Sequence, residues 1–146
     1  MYHYTESGLD YVYLMNGYRE EDTPYGKVVS IENLDALHKL IGISVAKSSA
    51  DITGDEVRFL RVEMEISQKD LGGLLDVDAQ TVARWEKGET PTSGPAERLI
   101  KALYLEFIKE GSNVRAMCER LAELDQHDPV EEIRFEDVGG EWRIAA

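Results

Sequence analysis

The chain has 146 residues and a formal net charge of −13, with 42% hydrophobic and 31% charged residues. This length suits one small domain or two very small modules. No apolar run approaches the roughly 18 residues that a membrane span needs, the first residues lack the pattern of a secretory signal, and the acidic balance argues against indiscriminate nucleic-acid binding.

The metal-ligating residue types are scarce. One cysteine, Cys118, excludes an internal disulfide framework and favours a reducing, cytoplasmic compartment. The three histidines are scattered, at His3, His38 and His127, so they offer no ligand cluster. We therefore expect neither a metal nor another cofactor.

Residues 1–50 predict a small N-terminal β-rich/helix module. Tyr2 and Tyr4 alternate with polar residues, and Asn16-Gly17 predicts a hairpin turn. A charged loop then leads to a second strand at 25–31, and a helix follows on the spacing of Leu34, Leu37, Leu40 and Ile41. The tyrosines of this module either line a thin sheet or form a surface for a partner or a dimer.

Residues 54–109 predict four helices and hold eight of the sixteen Lys and Arg residues. Ser67, with Asp70 three residues later, predicts a capping box at the start of the second of these helices. Asp76-Val77 forms a turn, and Asp78 caps a third helix that ends near Gly88. Two short helices joined by such a turn follow the helix-turn-helix plan.

The third helix has one apolar and one polar face. Val82 and Trp85 share the face that we expect to be buried. Gln80 and Arg84 are four residues apart, so their side chains project from the same side of the helix. Gln can form paired hydrogen bonds with the edge of adenine, and Arg with the edge of guanine. The predicted base-contacting set is Ala79, Gln80, Thr81 and Arg84.

The stretch SQKDLGGLLDVDAQTVARWEKG, from Ser67 to Gly88, resembles the Xre/Cro/cI class of helix-turn-helix domains. The resemblance covers residues 54–108 with the flanking helices and implies an all-α, lambda-repressor-like domain. It implies a sequence-specific transcriptional regulator, a dimeric repressor that reads the major groove of double-stranded DNA with the helix 78–87. It also implies base contacts from the set above. We expect phosphate contacts from Gln68, Arg61, Lys69 and Lys87.

Two positions depart from the usual pattern of this class. Asp76 stands where a glycine is usual, and aspartate tolerates a left-handed backbone better than most residues. The loop 89–95 contains no cation, whereas the corresponding loop is often basic. We therefore expect few phosphate contacts and weak non-specific binding.

The stretches YHYTESGLDYVYLMNGY, YGKVVSI and LHKLI, followed by GDEVRFLRVEMEISQ, lie between residues 2 and 68. Together they resemble MqsA-like antitoxins, some of which carry an N-terminal zinc finger with Cys pairs. This chain has no cysteine before Cys118, so the resemblance implies that the metal has been lost. The alternative function that it implies is an antitoxin of a type II toxin-antitoxin pair, which binds a basic toxin and represses its own operon.

Residues 112–146 predict a C-terminal helix and a β-hairpin. The helix is expected to turn Val114, Met117, Leu121 and Leu124 inward. The hairpin alternates Ile133, Phe135, Trp142 and Ile144 in a way that predicts one buried face. These faces are buried either within the monomer or across a dimer, and the dimer is favoured because this DNA-binding class reads two half-sites about 34 Å apart.

The predicted fold class is therefore α+β, with a helix-turn-helix domain at 54–109 between the N-terminal module and a C-terminal segment at 112–146. No nucleophile, base and orienting group recur at a known spacing, so we expect no enzyme activity. Two further alternatives stay open: a domain of this fold used for protein contacts alone, and a small-molecule sensor that uses the aromatic N-terminal module.

Overall fold

The computed structural model describes residues 1–109, 114–123 and 134–145. Helices and short antiparallel strands both occur in it, and this confirms the expected α+β class. In chain order the strands and helices are β1 Tyr2–His3, β2 Tyr13–Leu14, β3 Tyr18–Thr23, β4 Gly26–Ile31, α1 Leu34–Lys47, α2 Gly54–Glu63, α3 Gln68–Leu75, α4 Ala79–Glu86, α5 Gly94–Lys109, α6 Val114–Glu123, β5 Phe135–Val138 and β6 Glu141–Ile144.

The N-terminal strands form two separate ribbons, β1 with β2 and β3 with β4. The hairpin predicted at Asn16-Gly17 is wrong, because these residues connect β2 to β3, which lie in different ribbons. The predicted charged loop is in fact β3. Its hairpin turn is closed by Thr23, whose hydroxyl donates to the Gly26 carbonyl at 2.7 Å and accepts from the Tyr25 amide at 3.2 Å. A two-stranded ribbon leaves one face in solvent, so an acidic strand is compatible with it.

Helix α1 buries only part of the stripe that we predicted. Ile41 is buried as expected and Leu37 is partly buried, but Leu34 and Leu40 are 42% and 62% exposed. Val45, one turn after Ile41, is buried as well. Gly42 lies at the contact with α5, since a Cβ on this residue would overlap the Tyr104 side chain. The Tyr104 hydroxyl also donates to the carbonyl of Lys39 at 3.3 Å. The absence of a side chain at residue 42 therefore allows the close approach of α1 and α5.

A chain of hydrogen bonds connects the N-terminus to α1 and α2. The Tyr4 hydroxyl lies 2.7 Å from Nε2 of His38, and Nδ1 of His38 lies 2.6 Å from the Glu63 carboxylate. Burial raises the pKa of Tyr4, with smaller contributions from Glu6 and Glu63, so the phenol keeps its proton and can donate. Three segments that are distant in sequence are thus held together by one imidazole.

The polar connection between α1 and α2 is fixed to α5. The Lys101 ammonium donates to the carbonyls of Ser48 at 2.9 Å and Ala50 at 3.3 Å. The Glu97 carboxylate accepts from the Ile52 amide. These contacts orient the start of α2, where Thr53 and Glu56 form a capping box.

The buried side chains of the described residues form one continuous cluster, apart from Cys118. The expected burial of Trp85 is confirmed, whereas Phe107 of α5 is 47% exposed. The division of the chain into segments 1–50, 54–109 and 112–146 stays a prediction. The cluster joins residues of the N-terminal ribbons to the helical core and includes Tyr4, Leu9, Leu14, Val57, Leu60, Leu71, Val82 and Ile100.

The C-terminal hairpin pairs as predicted but does not bury its apolar face. Phe135 is opposite Ile144, and Asp137 is opposite Trp142. Burial within the monomer is wrong for Phe135, at 62% exposure, and for Trp142, at 76%, because no described element covers them, while burial across a dimer stays a prediction. The predicted inward residues Leu124 and Ile133 lie outside the described residues, as do the side chains of Met117, Leu121 and Ile144.

Candidate nucleic-acid interface

Helix α3 begins with the capping box that the sequence predicts. The Ser67 hydroxyl accepts from the Asp70 amide at 3.0 Å, and the Asp70 carboxylate accepts from the Ser67 amide at 3.2 Å. The bond from the Ser67 amide, followed by the interaction of the Ser67 hydroxyl with the carboxylate, holds the pKa of Asp70 below its usual range. The box leaves the amides of Gln68 and Lys69 unpaired within the helix.

The turn between α3 and α4 is tight. Asp76 has φ 57°, the left-handed conformation that we expected of the residue replacing glycine. The Val77 amide donates to the Gly72 carbonyl at 2.9 Å. A Cβ on Gly72 would lie 2.5 Å from the Val77 carbonyl oxygen, so the missing side chain allows the backbones to approach. Gly73 has nothing within 4 Å of such a Cβ, and packing does not require a glycine there.

Helix α4 is capped at both ends. The Asp78 carboxylate accepts from the Thr81 hydroxyl and from the Thr81 amide, both at 2.7 Å. Both bonds lower the pKa of Asp78, and the bond from the hydroxyl has the larger effect. Gly88 has φ 72°, and its amide donates to the Trp85 carbonyl at 3.0 Å. Helix α4 is therefore a short, rigid element that holds its side chains at defined positions.

The face of α4 opposite the core carries the predicted base-contacting residues. Gln80 and Arg84 are exposed, and neither side chain makes a hydrogen bond or an ion pair with another described residue. Val82 and Trp85 are buried on the other side of the helix. We call the exposed side the reading face, and it consists of Ala79, Gln80, Thr81 and Arg84, of which Ala79 and Thr81 are half-buried.

Two of the four predicted phosphate-binding residues are free lysines at the edges of this surface. Lys69 lies in the first turn of α3, and Lys87 is the residue that follows α4. Both are exposed, and the structure gives neither ammonium a hydrogen bond with a described residue. They can meet a polyanion without breaking an existing contact.

Arg61 and Gln68 are placed differently, because both contact Glu86. The Arg61 guanidinium donates to the two Glu86 carboxylate oxygens at 2.7 and 3.0 Å and to the Ile66 carbonyl at 2.9 Å. The Gln68 amide donates to Glu86 at 3.3 Å. The Arg61 side chain is 14% exposed and that of Glu86 6%. A phosphate contact by Arg61 stays a prediction, and in the free protein its guanidinium joins α2 to α4.

Sequence reasoning did not find this network. Arg61 and Glu86 are 25 residues apart, so no local spacing connects them. One sequence signal could have indicated it: Glu86 directly follows Trp85, which we expected to be buried. A charged side chain next to a buried position requires a partner. Glu86 therefore belongs to the site as a positioning residue for α4.

The loop after α4 contributes hydroxyl groups and no positive charge. Ser93 accepts from the Ala96 amide at 3.3 Å and so caps α5, while Thr90 is exposed. Within the described ranges no cluster of His, Cys, Asp or Glu could hold a metal ion. None of the helices in those ranges combines the length and hydropathy of a bilayer span.

Comparison with known protein families agrees with this geometry. A family model of helix-turn-helix domains matches residues 57–105. This segment is a helix-turn-helix domain of the Xre/Cro/cI type, and the protein is a DNA-binding transcription regulator. Neither the curated proteins nor the solved structures give a significant match. The match does not distinguish MqsA-like antitoxins from other proteins with this domain, and the resemblance to them stays an expectation.

Proposed function

We propose that the protein is a dimeric, sequence-specific repressor that inserts α4 into the major groove. The observation that carries the proposal is the reading face, in which Gln80 and Arg84 are exposed and free of intramolecular hydrogen bonds. Paired hydrogen bonds from Gln to adenine and from Arg to guanine then select the sequence. Thr81 lies beside them, and its hydroxyl keeps acceptor capacity after donating to Asp78.

The phosphate contacts come from few groups. Lys69 and Lys87 supply the free positive charges, and the unpaired amides of α3 and α4 supply neutral donors at helix N-termini. Gln68 and Arg61 already donate to the Glu86 carboxylate. Either of them can add a phosphate contact only if the other keeps its hydrogen bonds to Glu86. Binding then depends on base contacts more than on counterion release.

Bound sequences can be selected from random DNA at several salt concentrations. We expect this selection to enrich one motif with two-fold symmetry. Four lysine–phosphate contacts per dimer give an expected slope of log affinity against log salt of about −4. No enrichment at low salt contradicts sequence-specific binding, and a slope as steep as about −10 contradicts the small number of phosphate contacts.

Dimerisation is supported by the C-terminal hairpin. Phe135 and Trp142 lie on the same face of the ribbon, and both are largely exposed. A single two-stranded hairpin has marginal stability in water, and an exposed tryptophan on one marks an interaction surface. The partner that fits is a second copy of this chain, because a reader of symmetric half-sites needs two reading faces.

The second prediction is that Trp142→Ser raises the dissociation constant of the dimer at least about tenfold, as expected for a buried aromatic at the centre of an interface. Analytical ultracentrifugation measures it. Tyr25→Ser removes an exposed aromatic side chain from the β3–β4 turn instead and serves as the control. Equal dissociation constants for the two variants would contradict the hairpin interface.

The antitoxin alternative is favoured by the N-terminal surface. Strand β3 carries three consecutive acids at Glu20, Glu21 and Asp22. Exposed apolar side chains also concentrate in this part of the chain, and they include Met1, Tyr11, Tyr13, Met15 and Tyr25. An acidic surface with exposed aromatic residues suits a basic protein partner.

The third prediction is that the product of a neighbouring open reading frame for a small basic protein co-purifies with this chain. We expect co-purification to weaken as the salt concentration rises, because the proposed attraction is electrostatic. Charge reversal of Glu20, Glu21 and Asp22 to lysine should abolish it. Failure of the basic protein to bind the wild-type chain would contradict the antitoxin function and leave the DNA-binding function unaffected.

A further inference from the structure

A cleft lies where the N-terminal segment, α1 and the start of α2 meet. Its volume is about 450 Å³, which is within the range of small-molecule sites. Val12, Ile41 and Val45 contribute apolar surface, and Thr53 and Glu56 form the wall on the side of α2. We call this space the junction cleft.

The charged residues that line the junction cleft, Asp51 and Glu56, are both acidic. The adjacent cation, Lys101, donates to the Ser48 and Ala50 carbonyls and forms an ion pair with Glu97, so its charge is already compensated. Glu56 already accepts from the Tyr11 hydroxyl at 2.6 Å and from the Thr53 amide at 2.8 Å. Asp51 is exposed and makes no hydrogen bond with another described residue, so its carboxylate is available to a ligand. Charge complementarity therefore favours a cation and disfavours an anion.

The wall of the cleft is in direct contact with the recognition helix. Gly54 lies between Thr53 and Glu56 in the first turn of α2, and a Cβ on Gly54 would overlap the carbonyl oxygens of Trp85 and Glu86. The last turn of α4 is therefore packed against the backbone that forms this wall. A ligand that shifts the capping box of α2 therefore also shifts the surface against which the end of α4 packs.

We propose that the junction cleft binds a small organic amine with an apolar body, and that its occupancy changes the affinity of the protein for DNA. The apolar body packs on Val12, Ile41 and Val45, and the ammonium group donates to the Asp51 carboxylate. The binding step is independent of DNA. The regulatory step rests on the proposed function.

Three probes of similar shape test the binding step: 2-phenylethylamine, 2-phenylethanol and 3-phenylpropionate. Isothermal titration with the full chain and no DNA should show the amine binding about tenfold more tightly than the alcohol, and the carboxylate not at all. Equal binding of the three probes, or no binding of the amine, overturns the site.

Two variants with the same change of charge locate the amine. Asp51→Asn should weaken 2-phenylethylamine binding about tenfold. Asp55→Asn removes an exposed acid of α2 that lies outside the junction cleft and should leave binding unchanged. Equal effects of the two substitutions overturn the assignment to Asp51.

The regulatory step is tested with the selected operator. Increasing 2-phenylethylamine should change the operator affinity of the wild-type protein at least about threefold. In the Asp51→Asn variant the same change should need about a tenfold higher amine concentration. An unchanged affinity, when titration shows that the amine is bound, overturns the coupling. Absence of operator binding without any ligand contradicts the proposed function instead.

Discussion

Replacement of Glu86 with alanine is expected to lower the free energy of unfolding by about 3–5 kcal/mol. Its carboxylate accepts two hydrogen bonds from Arg61 and one from Gln68, and both members of the ion pair are largely buried. The substitution leaves a buried guanidinium without its counter-charge, and that is the main cost. Urea unfolding followed by circular dichroism measures the change.

The exposed pair of Arg115 and Glu119 provides the control. Its side chains are 46% and 51% exposed, so Glu119→Ala should cost no more than about 1 kcal/mol. The double variant Arg61→Met with Glu86→Leu should be more stable than Glu86→Ala, because it leaves no buried charge unpaired. A loss below about 1 kcal/mol for Glu86→Ala would contradict the role of this pair in holding α4.

Substitution of Arg84 with alanine is expected to weaken operator binding by about 1–3 kcal/mol, or about 5- to 150-fold, and to relax the preference at one base position. Arg84 is the cation of the reading face, and its guanidinium makes no hydrogen bond with a described residue. Competition binding against operators with a single base changed measures both effects. The protein should remain folded, because the side chain is exposed.

Arg98→Ala is the matched control for Arg84→Ala. Arg98 is an exposed arginine of α5, so its removal makes the same change in net charge away from the reading face. We expect a small, uniform loss of affinity with unchanged sequence preference. If Arg84→Ala also left the preference unchanged, Arg84 would not contact a base edge.

The helix-turn-helix domain was predictable because its signals are local. The cap residues Ser67 and Asp78 act on amides three positions away. Asp76 and Gly88 form their left-handed turns at the expected positions. The exposed side of α4 follows from helical periodicity alone. These features need no knowledge of the rest of the chain.

The N-terminal ribbons were predicted less well, because strand pairing is not a local property. Asn16-Gly17 has the composition of a hairpin turn, but the partner of β3 is β4 and not β2. Three consecutive acids hide the alternation of β3, since both faces of the strand appear polar in the sequence. The spacing of apolar residues in α1 likewise cannot show which of two overlapping stripes meets α5.

The site was predicted in part for the same reason. Gln80 and Arg84 lie where helical spacing puts them, while the environment of Arg61 depends on Glu86, 25 residues later. An arginine on an amphipathic helix has the same sequence pattern whether it faces solvent or a buried acid. Only the packing of α2 against α4 decides between these environments.

The fit of Tyr104 against Gly42 has a consequence for how this protein can recombine with its relatives. The phenol ring of α5 occupies the space that any side chain at residue 42 would need. A chimera that takes its first fifty residues from another regulator must inherit a glycine at this position, or else replace Tyr104 with a smaller residue. The DNA-binding half is therefore not an interchangeable cassette, and residues 42 and 104 should be exchanged together.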